Sequence, residues 1–239
     1  MYALFKKEIR YFFTSPIGFT VIGIFVLLNG LFLWILKSDY NIFNSGFADL
    51  LPFFRISSWI FVFLVPALTM RAISEEKRSG MLALLFTKPV SIWRMVLGKY
   101  FGILFLLVII LIPSFLYIYM VWILGNPIGN LDVAGTIGSY VALLLLVATF
   151  AAVGLWASSV TANQIISFVL AAFLCFFLFF GLDQSVELLF PESFSQFGFQ
   201  SHFEAISRGV IDTRDVLYFL SVIGFFLYVT TLSLNSYKQ

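Results

Sequence analysis

Between Asp132 and Asp183 the chain runs for 50 residues without one Asp, Glu, Lys or Arg. A helix of about 20 apolar residues already crosses the hydrocarbon of a bilayer, where every backbone amide must be paired within the segment. Fifty residues exceed one crossing. The polar string Ser158-Ser159-Val160-Thr161-Ala162-Asn163-Gln164 divides the run into helices at 136–157 and 165–182 joined by a tight turn. Other uncharged stretches lie at 17–36, 56–70, 100–131 and 216–237. The second is short, and it lengthens backwards if Arg55 snorkels to the interface. Six spans are expected, at 17–36, 53–70, 99–124, 136–157, 165–182 and 215–234.

Composition agrees, with 61% hydrophobic and 11% charged residues among 239, where a soluble domain carries about 25% charged. A net charge of +2 is too small for a phosphate-binding footprint, so nucleic acid is excluded as a partner. One cysteine, Cys175, gives no disulfide framework. The lone His202, near Glu204 and Asp212, lacks a metal-ligand spacing. The first span reads as a retained helix, since no small-x-small cleavage site follows it. No internal repeat is visible.

Six spans place both termini on one side. Of the 14 Lys and Arg, 10 fall on the segments of that side and 4 (Lys37, Arg55, Arg208, Arg214) on the other. Basic residues stay in the cytoplasm, so both termini and the 71–98 segment are expected there.

Two segments on that side stand out. Residues 2–14 form an amphipathic helix, with Lys6, Lys7 and Arg10 on one arc and Phe12 and Phe13 on the opposing one, suited to lying in the membrane interface against lipid. Ser15 caps the helix that follows, with Pro16 at its first position. In the 71–98 segment, Glu75, Glu76, Lys77 and Arg78 precede Gly80 and an apolar helix of about eight residues containing Met81, Leu82, Leu84, Leu85 and Phe86. Pro89 stops that helix, and Ser91 starts the next, which carries Trp93, Arg94 and Lys99 through the interface. An apolar helix beneath a membrane needs a partner or a lipid surface.

These motifs carry a resemblance. Ser15-Pro16, Pro66-Ala-Leu-Thr-Met-Arg71, Glu75-Glu76-Lys77-Arg78-Ser79-Gly80, Thr87-Lys88-Pro89-Val90-Ser91, Leu97-Gly98-Lys99 and Gly154-Leu155-Trp156-Ala157-Ser158-Ser159 together resemble the ABC-2 type permeases over essentially the whole chain. The phrase from His202 through Asp212, followed by Arg214-Asp215-Val216-Leu217-Tyr218-Phe219, is similar to the gliding-motility-associated ABC permease of Bacteroidetes. The resemblance implies an all-α integral membrane protein of six spans in the bacterial inner membrane, with a cytoplasmic coupling helix and an external re-entrant hairpin in 183–214. It further implies that Glu75, Glu76, Gly80, Leu82, Leu84, Leu85, Phe86 and Pro89 rest in a cleft of a separate ATP-hydrolysing subunit. A second permease copy, or a related subunit with a large external domain, would complete the complex.

The chain has no Gly-x-x-x-x-Gly-Lys-Ser/Thr phosphate loop, so it is not itself the ATPase. No ionisable residue lies mid-span, which leaves an ion-driven carrier without a charge relay. No catalytic group, cofactor or metal is expected. Polar residues within spans, among them Asn29, Ser57, Ser58, Thr149 and Ser167, read as interhelical hydrogen-bonding groups. Two alternatives stay open: a permease of the nitrous-oxide-reductase maturation type, and a membrane scaffold that transports nothing.

Overall fold

A computed structural model describes residues 2–45, 48–87, 91–184 and 198–238. Among these, every regular element is helical. Six segments are long and apolar enough to cross a membrane: Gly18–Ile35, Leu51–Arg78, Ile92–Leu124, Val133–Val160, Gln164–Gln184 and Thr213–Tyr237.

In chain order, α1 (Tyr2–Thr14) leads through Ser15 into α2 (Pro16–Gly30), which closes in a π-helical turn over Leu31–Ile35. The short α3 (Ile42–Ser45) precedes α4 (Leu51–Thr69). Then come α5 (Ser74–Arg78), α6 (Met81–Phe86) and α7 (Ile92–Leu111). A 3₁₀ turn at Ile112–Ser114, carrying Pro113, joins α7 to α8 (Phe115–Leu124). After α9 (Val133–Val160) and α10 (Gln164–Phe176), a second π turn spans Phe177–Gly181. The chain ends with α11 (Phe199–Ser207) and α12 (Thr213–Lys238).

Local chemistry sets these boundaries. Asp132 caps α9 by accepting the Gly135 N–H at 3.0 Å, and Asn163 caps α10 by accepting that of Ile165 at 2.9 Å. Ser15 occupies the cap position of α2 with Pro16 at its first turn, but its hydroxyl donates back to the Phe12 carbonyl. Pro52 in the first turn of α4 lets that helix begin before 53.

Two expectations need correction. The polar string at 158–164 is not all turn: Ser158 and Ser159 complete α9 and are fully buried, because other segments hydrogen-bond to them. Helix α7 begins at Ile92 after Ser91, as expected, but Lys99, two turns inside it, is buried in the bundle rather than lying at the interface. Burial there is tolerable because opposite charges meet it, as described below. The apolar helix after Gly80 has six residues.

Helix α9 is the central post, buried along most of its length and packed against α4, α7, α10, α11 and α12. Small side chains at Ala148, Ala151, Ala152 and Gly154 let neighbours approach it closely. Asn29 donates to the Phe25 carbonyl at 2.9 Å and accepts from the Ser57 hydroxyl at 3.0 Å, linking α2 to α4 inside the apolar core. Cys175 is fully buried.

Contacts gather α1, α5, α6, the 161–163 turn and the last turns of α12 at one end of the bundle, hereafter the termini end. At the opposite end, residues 199–212 return over the start of α9, where the Ser139 hydroxyl donates to the Ser207 carbonyl at 3.2 Å. Residues 185–197, part of the expected external re-entrant hairpin in 183–214, lie outside the described residues.

Candidate functional site

At the termini end, α5 is a single turn and a half of helix from which ties run to four others. Its sequence, Ser-Glu-Glu-Lys-Arg, packs acceptors and donors side by side. The N–H groups of Ile73 and Ser74 donate to the Ser158 hydroxyl at 2.7 and 3.3 Å, which satisfies two buried donors where α4 gives way to α5. The Lys77 ammonium donates to the Ser159 carbonyl and lies 4.7 Å from the centre of the Tyr237 ring. Through Lys77 and Ser158, α5 is bound to α9 and α12.

Its other side enters a charge cluster. Glu76 Oε1 lies 2.9 Å from Lys99 Nζ and 2.8 Å from Lys7 Nζ. The same Lys99 ammonium donates to Glu8 at 3.0 Å and to the Ala72 carbonyl at 2.6 Å. Lys99 is 0% exposed, and Glu76 is 6% exposed. A charged side chain this deep stays ionised only when carboxylates and hydrogen bonds replace its water. Three acceptors from three chain segments do so here. Lys99 thereby pins α7 to α1 through Glu8, to α5 through Glu76, and to the end of α4 through Ala72.

The close approach of α1 and α7 depends on Gly102. A Cβ there would come within 2.9 Å of Glu8 Cβ, so only glycine lets α1 lie near enough for Glu8 to reach Lys99. Phe5 and Phe105 meet edge to face at 5.7 Å beside this contact.

Gly80 turns the chain from α5 into α6 with φ of 71°, the left-handed region that a Cβ disfavours. In α6, Leu82 is fully buried and keys the helix into the core, while Leu85 and Phe86 pack on it half-buried. Met81 and Leu84, one turn apart, face outward, with Leu84 67% exposed. Of the residues assigned to coupling by resemblance, then, Leu84 is the most open, Leu82 and Glu76 are internal, and Glu75 lines a cleft of about 370 Å³ beside Arg71 and Met81. Pro89 lies outside the described residues. Among the residues assigned to the interface, Lys6 and Arg10 are exposed, Lys7 is bound to Glu76, Phe13 is exposed, and Phe12 is buried in the bundle core.

The sequence reading placed Lys99 at the membrane surface and gave Glu8 no role. A usable signal was present: Lys99 is the only Asp, Glu, Lys or Arg between Arg94 and Asp132. One charge alone in an apolar run requires a counter-charge from elsewhere in the fold, and Glu8 is the only acid in an otherwise basic helix.

A family model described as ABC-2 family transporter protein matches residues 2–238. The chain belongs to that family. This ABC-2 permease is therefore a multi-pass membrane component of an ATP-binding-cassette transporter, and membership implies an ATPase partner. A comparison with curated proteins finds no match. His202, in the stretch that carries the finer resemblance, lies with Nδ1 2.6 Å from Asp215 and its ring stacked on Tyr218, joining α11 to α12. Among the described residues no group of three His, Cys, Asp or Glu side chains is placed to hold a metal ion.

Proposed function

We propose that this permease is driven by a separate ATP-hydrolysing subunit that docks on α6 from the cytoplasm, with both termini cytoplasmic and the spans in the bacterial inner membrane. The observation that carries this reading is the division of labour within residues 74–86. Met81 and Leu84 present an apolar face outward, while Leu82, Glu76, Lys77 and Ser74 fasten the same segment to α1, α7, α9 and α12. A load applied at Leu84 is thus passed to helices that cross the membrane, which a loosely tethered loop would not do. ATP binding would bias the bundle only if the ATPase grips α6 differently in its open and closed states.

The excess of basic residues at the termini end supports the orientation. A second permease copy would supply the other half of the translocation unit. The similarity of the segment from His202 to Phe219 supports a place in a gliding-motility system, where the complex would move a substrate or transmit force.

Docking is tested by co-purification of the cognate ATPase with the full chain. Leu84→Ala should weaken binding of the ATPase by about 5- to 150-fold if the side chain is a central anchor worth about 1–3 kcal/mol. Recovery equal to wild type from a Met81→Ala, Leu84→Ala double variant would contradict the assignment. Single-cysteine labelling in a Cys175→Ala background tests orientation: position 79 should react from the cytoplasm and position 201 only from outside.

A further inference from the structure

At the end opposite the termini, a half-open cavity of about 520 Å³ separates α4 from α11. Each helix turns one stripe toward it. On α4 the stripe carries Arg55, Ser58 and Trp59; on α11 it carries Gln200 and Glu204 and ends at Arg208, which follows the last turn. Three charged side chains from sequence positions 150 residues apart thus share one wall-to-wall space.

The cavity is built rather than incidental. Gln200 Nε2 donates to Glu204 Oε1 at 3.1 Å, which fixes that carboxylate on its own helix and away from a direct pair with either arginine. Neither Arg55 nor Arg208 forms a salt bridge among the described residues. Trp59 stacks on Phe180 with ring centres 3.9 Å apart, giving a flat apolar wall below the charges. Helix α11 is held in place from behind by the Ser139 to Ser207 hydrogen bond and from the side by His202 against Asp215. A rigid cap over an aromatic wall, with two planar cations and one restrained acid, has the composition of a small-molecule site.

We infer that this cavity binds an oxyanion, a phosphate or carboxylate group, carried on an apolar or aromatic body. Guanidinium groups recognise such anions through paired N–H donors, and the Trp59–Phe180 wall takes the body of the ligand. Among the described lining residues the two arginines outnumber the one glutamate. Asp49 sits near enough to Arg55 to act on it electrostatically but lies outside the lining, so Arg208 is the stronger anion contact. The inference does not depend on the docking role of α6.

The test uses the full chain in neutral-detergent micelles with three probes: inorganic phosphate, phosphatidylglycerol and phosphatidylcholine. Binding is read by native mass spectrometry and by the change in tryptophan fluorescence. An anionic probe should bind, phosphatidylcholine should not compete with it, and an Arg55→Gln, Arg208→Gln double variant should weaken it at least tenfold. Glu204→Gln should bind as well as wild type or tighter, and Arg214→Gln, an arginine of the same end outside the cavity, should bind unchanged. Binding of phosphatidylglycerol without free phosphate identifies a lipid headgroup as the source; binding of free phosphate identifies a soluble anion. The fluorescence change should vanish in Trp59→Phe, a readout that holds even if the arginine variants fold poorly. Absence of binding by both anionic probes, equal binding by the double variant, or a fluorescence change that survives Trp59→Phe would overturn the inference.

Discussion

At the termini end, four charged side chains, Lys7, Glu8, Glu76 and Lys99, converge between α1, α5 and α7 and neutralise one another, with Lys99 wholly inside. At the opposite end, Arg55 and Arg208 border an open cavity and pair with no carboxylate among the described residues. The same residue types therefore do different work. Paired and buried, they join helices; unpaired and facing space, they are available to something that is not part of the chain. The difference teaches that charge in a membrane bundle is informative only together with its burial and its partner, because removing one member of a buried pair strands the other.

The largest effect should come from Lys99→Ala, which strands Glu8 without a counter-ion and leaves Glu76 only the half-exposed Lys7. A loss of about 3–5 kcal/mol is expected, read as unfolding of the purified chain in detergent. Should Lys99→Ala melt like wild type, the contrast between the two ends would collapse. A Lys99→Met, Glu8→Gln, Glu76→Gln triple variant should recover much of that loss, since apolar and neutral replacements of similar volume remove the stranded charges.

Next in size is the pair Leu82→Ala and Leu84→Ala. Leu82 is fully buried, so its truncation should destabilise by about 2–5 kcal/mol, whereas the exposed Leu84 should change folding stability by less than about 0.5 kcal/mol. Equal losses would mean that α6 has no free face. Ser158→Ala withdraws the acceptor for the Ile73 and Ser74 N–H groups and should cost about 1–3 kcal/mol by the same assay.

At the opposite end the effects on folding should be small. Arg208→Gln is expected to shift stability by less than about 0.5 kcal/mol, a surface-like value. Asp49 offers a gentler probe of the same end. Burial lifts its pKa above the ordinary carboxylate value, against the lowering influence of the Leu51 N–H and Arg55, and its Oδ1 has no hydrogen-bond partner. A raised folded-state pKa means that the protonated form favours the fold, so stability contributed by Asp49 should be present at low pH and lost as pH rises through that pKa. Asp49→Asn should be slightly more stable than wild type near neutral pH and should flatten this dependence. A variant less stable than wild type would show that the charge is needed.

By itself the sequence determined the six crossings, the break between α9 and α10, the cap position at Ser15, and the apolar helix after Gly80. Each follows from hydrophobic run length or from capping chemistry, which act over one to a few turns and are written in consecutive residues. Span ends were less legible: Ser158 and Ser159 read as turn residues because local polarity cannot reveal that distant N–H groups will use them. The tertiary structure alone decided that Lys99 is buried rather than interfacial, that Phe12 faces the bundle, and that Arg55 and Arg208 share one cavity. Glu8 and Lys99 are 91 positions apart in sequence and 3.0 Å apart in space. Such pairings depend on which helix packs beside which, and in a chain of uniformly apolar spans the choice rests on small residues such as Gly102 and on a few charges that must find one another.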